Sequence, residues 1–521
     1  MRFLSIVVVS FILLACHEDM RSPGKPLMEL DFNGQIINKG IYDVQIEGDA
    51  LVSYHYDVPD TCLDLMASAK YRKPLVISYN EGFSFDDYEG YTFSVWVQKT
   101  KSDNEDYCIL SQQELVNDRL LGWELRAENC GSWSWVYRDS LQTWTYKPAS
   151  LNQAINNGKW HHLVFSYNKN IQEARLYFDG TNVAIYSMYG NTFNIESTPI
   201  RLGVSPSSAS VNMDVFNGRL DDLAVWSRSL IDEEVKTIYG LKYPHKFTKP
   251  VCGDQLKVMT WDVWQGGIHE GKRVGPERIL DVIRSTEADI ILLQEMAGKG
   301  SYLADGLGYY FYQRNEDLGV LSRYPLQEAN NVYRSYNSGC IKVDLGDDRY
   351  LFASPVALSQ QPRLDAYLKS GEADPDTIVY RENEFRGKEI TFILGELRHL
   401  IFTNENIPMI LGGGFYSGSH LDWDEANKDQ HMGLVVNYPV SQQLEKAGFI
   451  DTYKALNAGE PLEKGFTWST KFNSAFPDRT DFIYSFGDRL YPVDSYVLDD
   501  HLVSFPSSHA AVVTVFNFEK D

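Results

Sequence analysis

The chain has 521 residues, which at roughly 100–200 residues per domain corresponds to two or three domains and excludes a single small binding module. Hydrophobic residues make up 43% and charged residues 23%, so a disordered or collagen-like chain is excluded. The 71 acidic residues outnumber the 48 basic ones and give a net charge of −23, which opposes binding to nucleic acid phosphates.

Residues 1–16 predict a targeting segment. Arg2 precedes an apolar run, Phe3 to Ala15, that is too short to span a bilayer, and the run closes in Leu-Leu-Ala-Cys at Cys16. This ending resembles a bacterial lipobox, which implies cleavage before Cys16 and lipidation of its thiol. An ordinary secretory signal with an incidental cysteine is the alternative. The acidic residues that follow resemble surface-export tails, which implies a surface-exposed outer-membrane lipoprotein of the cell envelope, with the membrane as a partner.

Residues 17–30 are predicted to be a polar tether, and residues 31–243 an all-β sandwich. The latter alternate in short segments with turn signals roughly every 8–12 residues, and 13% of the whole chain is aromatic. Three motifs occur there in order: Gly-Lys-Trp-His-His-Leu at 158–163, Leu-Tyr-Phe-Asp-Gly at 176–180 and Gly-Arg-Leu-Asp-Asp-Leu-Ala-Val-Trp at 218–226. Together they resemble a laminin-G/concanavalin-like jelly roll. The resemblance implies a glycan or a surface protein as partner.

Two features of this predicted jelly roll are candidates for binding. Exposed aromatic rings stack on sugar faces whereas buried ones belong to the core, and strand alternation puts Trp133 and Trp135 on one face, which favours the core. Trp144 and Tyr146 are further candidates. The adjacent Asp221-Asp222 pair could hold a structural Ca²⁺, as in some related domains, or could be an ordinary surface pair.

Five cysteines follow Cys16 without the CxxC spacing of a metal site: Cys62, Cys108, Cys130, Cys252 and Cys340. One or two disulfides fit an oxidising compartment, and Cys108 with Cys130 is the nearest pair, but the sequence does not fix the pairing. Helical periodicity near residues 230–241 and the prolines at 244 and 250 predict a linker at 244–254. We therefore expect two independently folding units divided there.

Residues 255–521 predict a different, α/β layered fold. Strands at 256–261, 289–294 and 408–411 alternate with helices at 276–285 and 382–402. Seven motifs follow in order: Thr-Trp-Asp-Val-Trp-Gln-Gly-Gly at 260–267, Leu-Gln-Glu at 293–295, Gly-Val-Leu-Ser-Arg-Tyr-Pro at 319–325, Gly-Gly-Gly-Phe-Tyr-Ser-Gly-Ser at 412–419, Gly-Phe-Thr-Trp at 465–468, Arg-Thr-Asp-Phe-Ile-Tyr at 479–484 and Pro-Ser-Ser-His at 506–509. They resemble the endonuclease/exonuclease/phosphatase family. The resemblance implies a four-layer sandwich of the deoxyribonuclease I type that hydrolyses phosphoesters with Mg²⁺ or Mn²⁺.

Four residues keep functional positions of that family. Glu295 matches its metal-binding Glu, and Asp262 stands where the family has Asn but keeps an oxygen for a metal ion. His509 matches the catalytic His, and Asp481 the carboxylate that orients its ring; a purely structural His–Asp pair is the alternative. A phosphodiester hydrolase needs such groups to activate water, donate a proton and stabilise charge.

Other functional positions are lost. Gly414 and Tyr416 replace the water-positioning Asp and the phosphate-holding Asn, and Ser508 replaces a carboxylate. The central strand at 354–358 lacks the family's His, and Asp500-His501 as a displaced Asp-His pair is not followed by the expected apolar strand. Each loss typically costs about 10²–10⁴ in rate. The sequence thus predicts a cell-envelope lipoprotein with a glycan-binding jelly roll and a pseudoenzyme domain. The alternative is an active metal-dependent phosphodiesterase or phosphatase with a reduced site.

Overall fold

The structure, a computed structural model, describes residues 22–34, 36–48, 52–54, 61–65, 74–79, 85–99, 105–190, 198–206, 215–404, 406–473 and 475–519. The targeting segment with Cys16 lies outside them. No helix within these ranges is long and apolar enough to cross a bilayer.

The N-terminal half is an all-β sandwich followed by one helix. Its elements are β1 (Met28–Leu30), β2 (Val44–Glu47), β3 (Val52–Tyr54), β4 (Thr61–Asp64), β5 (Leu75–Tyr79), β6 (Gly90–Gln98), β7 (Tyr107–Val116), β8 (Arg119–Ala127), β9 (Trp133–Arg138), β10 (Thr143–Tyr146), β11 (Trp160–Asn168), β12 (Glu173–Phe178), β13 (Thr181–Ser187), β14 (Ile200–Leu202), β15 (Arg219–Trp226) and α1 (Asp232–Lys242). One sheet has the order β13-β12-β11-β6-β15-β4-β3, with β1 also on β15, and the other has the order β10-β9-β8-β7-β14-β5-β2. The predicted jelly-roll fold is confirmed.

The core of the sandwich is aromatic. Phe165 of β11 stacks on Trp135 of β9 with ring centroids 4.4 Å apart, which joins the two sheets. Trp133 and Trp135 are each 1% exposed, so the prediction that this pair belongs to the core is confirmed. Trp144 and Tyr146 are buried as well. The four aromatic residues considered for sugar stacking are therefore structural.

Two segments of the jelly-roll half make contacts that the sequence did not predict. Residues 28–30, predicted as part of the tether, form β1 and pair with β15, because Met28 and Leu30 are buried in the core. The Asp221-Asp222 pair is bound by a cation of the chain itself: Nζ of Lys242 lies 2.5 Å from the first carboxylate and 2.8 Å from the second. A calcium ion would have to displace this ammonium group, so calcium there stays a prediction without structural support.

The five cysteines of the described residues are free thiols, and all except Cys130 are buried. Sγ of Cys108 lies 3.1 Å from the carbonyl oxygen of Val204. The structure therefore does not contain the disulfide between Cys108 and Cys130 that the sequence allowed.

The C-terminal half consists of two sheets with helices outside them. Its elements are β16 (Gln255–Asp262), α2 (Val274–Thr286), β17 (Ile290–Gln294), α3 (Gly300–Leu307), β18 (Tyr310–Gln313), β19 (Gly319–Ser322), β20 (Leu326–Asn330), β21 (Cys340–Gly346), β22 (Arg349–Ala357), α4 (Asp365–Lys369), α5 (Pro375–Glu384), α6 (Arg386–Thr403), β23 (Met409–Gly414), α7 (Pro439–Lys446), β24 (Ile450–Asp451), α8 (Thr452–Leu456), β25 (Asp481–Phe486), β26 (Leu490–Leu498) and β27 (Ala511–Phe518). One sheet has the order β26-β27-β16-β17-β19-β18, and the other the order β20-β21-β22-β23-β25-β24.

Strand β17 shows how the layers form. Ile290 and Leu292 pack between the two sheets, whereas the alternating Ile291 and Leu293 pack on the opposite face with residues of α2. Apolar residues of α6 and α7 cover the outer face of the second sheet. The four-layer α/β sandwich is confirmed. The helix predicted at 382–402 is two helices, since the backbone at Phe385 (φ −122°, ψ −88°) separates α5 from α6.

The two halves share one continuous sheet. Strand β13 of the jelly roll pairs in parallel with β18, in the register Ala184 to Phe311 and Tyr186 to Gln313. Oδ2 of Asp305, a buried residue, accepts a hydrogen bond of 2.8 Å from the backbone N–H of Leu151. Separation would expose two strand edges and the contact between the buried rings of Tyr186 and Phe311, whose centroids lie 5.8 Å apart. This interface argues against the expectation that the halves fold independently.

Candidate functional site

The four retained residues lie at one rim of the C-terminal sheets. Asp262 ends β16 and Glu295 follows β17; because these strands are parallel, both carboxylates emerge at the same edge. Asp481 begins β25 opposite Gly414, the last residue of β23. His509 shortly precedes β27, which is antiparallel to β16. The topology thus brings the predicted residues together.

His509 and Asp481 form a buried pair. Nδ1 of His509 lies 2.8 Å from Oδ2 of Asp481, and its Nε2 lies 4.0 Å from Oδ2 of Asp262. Burial opposes protonation of the ring, but the charges of Asp481 and Asp262 outweigh it and raise the pKa of His509 to about 9. The imidazole is therefore protonated at neutral pH, where it can donate a proton but not accept one.

Tyr416 fills the place left by the lost side chains. Its hydroxyl donates a 2.7 Å hydrogen bond to Oδ2 of Asp262, while the backbone N–H of Trp264 donates to Oδ1 at 2.9 Å. A Cβ added to Gly414 would lie 3.1 Å from Cζ of Tyr416. The ring thus occupies the space into which an Asp side chain at position 414 would project. Tyr416 has the left-handed backbone conformation (φ +50°), which is unfavourable for a bulky residue.

Glu295 is held by an amide. Nε2 of Gln360 donates to Oε1 of Glu295 at 2.6 Å and lies 3.3 Å from the Tyr416 hydroxyl. Burial, followed by the charge of Asp262, raises the pKa of Glu295 to about 7. Burial is also the main cause that raises the pKa of Asp262. Both carboxyl groups therefore hold their protons more tightly than usual, even though the nearby charge of His509 acts in the opposite direction.

The arrangement does not fit the divalent ion that the fold family uses. Mg²⁺ needs near-octahedral oxygen ligands. Both oxygens of Asp262 and one of Glu295 already accept hydrogen bonds from protein donors. In the described part of the chain, no group of three or more His, Cys, Asp or Glu is placed to hold a metal ion. An ion would have to displace the Tyr416 hydroxyl, so Mg²⁺ or Mn²⁺ at Asp262 and Glu295 stays a prediction.

Sequence reasoning missed the residues that support this site. Gln360 lies in the segment after β22 and carries no motif of its own. Oγ of Ser507 donates to the carbonyl oxygen of Asp262 at 2.5 Å, and the Thr467 hydroxyl accepts from the N–H of Asp481 at 3.1 Å. Both lie inside the quoted motifs, but only Ser507 stands near a residue predicted to be functional, two positions before His509. Nε2 of His501 lies 4.0 Å from Asp281 of α2, which disfavours the displaced Asp-His pair.

Two cavities meet at the site. One of about 310 Å³ lies on the side of Trp264, Trp468 and His509. The other, of about 620 Å³, lies between the two halves of the molecule. Glu295, Gln360 and Tyr416 line both cavities and therefore stand between them.

Comparison with family models agrees with the topology of both halves. Residues 77–236 match the Concanavalin A-like lectin/glucanases superfamily, and residues 259–509 match the Endonuclease/Exonuclease/phosphatase family. The chain is a concanavalin-like jelly roll followed by an endonuclease/exonuclease/phosphatase domain. The functional positions named above belong to this second domain.

Individual relatives are distant. Uncharacterized protein F14F9.5 of Caenorhabditis elegans is 26% identical over 290 residues, which span 50% of this chain and 91% of the relative. The crystal structure of TDP2 from C. elegans is 17% identical, covers 55% of this chain and 86% of its own, and superposes with a TM-score of 0.36. An endonuclease/exonuclease/phosphatase from Beutenbergia cavernae DSM 12333 is 16% identical, with 51% and 72% coverage and a TM-score of 0.36.

Proposed function

We propose that this chain is a cell-envelope lipoprotein in which a glycan-binding jelly-roll half is fused to a phosphoesterase-like domain that no longer turns over substrate. The observation that carries the pseudoenzyme proposal is the hydrogen bond from Tyr416 to Asp262 above Gly414. The Tyr416 ring lies in the space that a water-positioning carboxylate at position 414 would need, and the Tyr416 hydroxyl binds the Asp262 oxygen that a metal ion would need. This one side chain therefore supports both losses. Phosphoester hydrolysis needs both a positioned nucleophile and charge stabilisation.

One observation favours the alternative, an active metal-dependent phosphodiesterase or phosphatase with a reduced site. The His509–Asp481 pair is geometrically intact, and the raised pKa keeps the ring ready to protonate a leaving group at neutral pH. The same site lacks the water-positioning carboxylate at Gly414 and the carboxylate at Ser508. We therefore treat catalysis as the second candidate.

A phosphoester assay separates the two candidates. The mature chain, supplied with Mg²⁺ or Mn²⁺, is expected to release no product above the blank from DNA, a sugar phosphate, a phospholipid or bis-p-nitrophenyl phosphate. Glu295→Ala should leave this background unchanged, as should the control Glu425→Ala, whose side chain is 78% exposed. Turnover by the wild-type chain that Glu295→Ala abolishes and Glu425→Ala keeps would establish the active alternative.

The lipoprotein part of the proposal makes a separate prediction. We expect the mature chain to begin at Cys16 with a lipidated thiol, because the apolar run ends there and the following residues are polar. In a bacterial expression host, mass spectrometry of the N-terminal peptide should show the added acyl mass. Cys16→Ser should abolish it and release the protein from membranes, while Cys130→Ser, at an exposed thiol, should not. An unmodified N-terminus at another residue would contradict the prediction.

A further inference from the structure

The cavity between the two halves is a groove built by both. The jelly roll contributes the segment at 141–144 and the end of β13 with Tyr189. The C-terminal domain contributes the segments that follow β17, β18, β20, β22 and β23. Its volume of about 620 Å³ lies within the range of roughly 300–1,000 Å³ that ligand sites occupy. We call it the interdomain groove. Its rigid frame is the sheet that β13 and β18 share.

Two exposed tyrosines line the interdomain groove. Tyr189 is 58% and Tyr336 55% exposed. The guanidinium carbon of Arg314 lies over the Tyr189 ring, and that of Arg334 over the Tyr336 ring, each 5.9 Å from the ring centroid. An arginine therefore backs each ring, and the rest of the ring stays open to solvent. Exposed aromatic faces of this kind suit stacking against the C–H face of a sugar ring.

Arg314, which lies against the Tyr189 ring, is itself held in place. Its side chain is buried, and it donates to Oγ of Ser187 at 2.7 Å and to the carbonyl oxygen of Ser338 at 2.8 Å. Ser187 belongs to the jelly roll and Ser338 to the C-terminal domain. Arg314 is thus fixed by both halves, so little conformational freedom of this side chain is lost when a ligand binds.

The rest of the lining is amide-rich and weakly acidic. Gln142, Gln313, Asn315, Asn337 and Gln360 line the groove. Amides both donate and accept hydrogen bonds, as sugar hydroxyls do. Oδ1 of Asn337 is buried without a hydrogen-bond partner in the described structure. The carboxylates of Glu316 and Asp317 add negative charge, which opposes phosphate or sulfate polymers.

We propose that the interdomain groove binds a neutral oligosaccharide, which stacks on Tyr189 and Tyr336 and extends toward Tyr416 at the lost catalytic site. The proposal rests on the glycan-binding part of the proposed function and assigns its location. It places the sugar between the halves, not on the sandwich, whose candidate aromatic residues are buried in the core. It also gives the phosphoesterase-like domain a role in binding that does not need turnover.

The test uses the mature full-length chain, titrated calorimetrically with four neutral hexasaccharides: maltohexaose, cellohexaose, mannohexaose and N-acetylchitohexaose. We expect at least one to bind, and Tyr189→Ala and Tyr336→Ala each to weaken that binding roughly five- to tenfold. Tyr380→Ala is the matched control, since Tyr380 is 66% exposed on α5 and does not line the groove. It should leave the affinity unchanged.

Each failure has its own meaning. Binding that survives both groove substitutions would overturn the interdomain site while glycan binding itself stands. Binding of none of the four hexasaccharides would overturn this proposal together with the glycan-binding function. Tighter binding of a heparin hexasaccharide than of every neutral probe would overturn the proposal that the ligand is neutral. The phosphoester assay is independent of all three outcomes. Circular dichroism of each variant establishes that a loss of binding is not a loss of fold.

Discussion

Gly414→Asp alone is expected to lower the free energy of unfolding by about 2–3 kcal/mol, because it overpacks a filled site. The Cβ of the new residue would lie 3.1 Å from Cζ and 3.3 Å from the hydroxyl oxygen of Tyr416, so its carboxylate must displace the ring. It would also add negative charge near Asp262, a carboxyl whose pKa burial already raises. Chemical denaturation of the wild type and the variant measures the loss.

In a Tyr416→Asn background, where the ring is absent, Gly414→Asp should lower the free energy of unfolding by about 1–2 kcal/mol less than it does in the wild type. The double variant also frees Oδ2 of Asp262 and adds a carboxylate at the rim, so it gains oxygen ligands for a hard cation. Millimolar Mg²⁺ should therefore raise its Tm by about 3 °C more than it raises that of the wild type. Adding Ser508→Asp should increase the response and any background hydrolysis.

Tyr416→Phe provides the control. It keeps the ring and removes the hydrogen bond to Asp262. Gly414→Asp should remain costly in this background, since the steric conflict is with the ring carbons. Two results would show that Tyr416 does not close the site. One is that Gly414→Asp lowers the free energy of unfolding equally with and without Tyr416→Asn. The other is that Mg²⁺ raises the Tm of the wild type as much as that of the double variant.

The sequence predicted those features of the fold and site that have a local signal. Carboxylates that end buried strands, as Asp262 and Glu295 do, can be recognised because strand direction decides where they emerge. Alternation also placed Trp133 and Trp135 correctly in the core, since the period of two assigns a face without knowledge of the partner sheet.

Contacts between distant segments had no such signal. Lys242 binds Asp221 and Asp222 from the last turn of α1, and an isolated lysine on a helix gives no indication of its partner. The pairing of β13 with β18 joins residues more than a hundred positions apart, and an edge strand does not encode which edge it meets. Gln360 was missed for the same reason. Of these contacts, the pairing of β13 with β18 and the position of Gln360 build the interdomain groove.

The shared sheet leads to the second large effect: cutting the linker should not separate the halves. A protease site inserted between His245 and Lys246, in the segment without helix or strand that follows α1, gives two fragments after cleavage. We expect them to elute together in size-exclusion chromatography at the position of the uncut chain, and to separate in denaturant. The pairing of β13 with β18 and the hydrogen bond from Arg175 to the carbonyl oxygen of Gln327 (2.5 Å) join them.

Asp305→Ala tests which contacts hold the fragments together. It removes the carboxylate that accepts hydrogen bonds from the backbone N–H groups of Leu151 and Asn152 across the interface, at a cost of about 1–3 kcal/mol. The cut variant should therefore dissociate on dilution at about 5- to 150-fold higher concentration. Asp281→Ala, at a carboxylate 59% exposed on α2, is the matched control and should not change dissociation. Separate elution of the cut wild-type fragments would restore the expectation of two independent units. The jelly roll would then be a detachable module, and the groove could not be a rigid site.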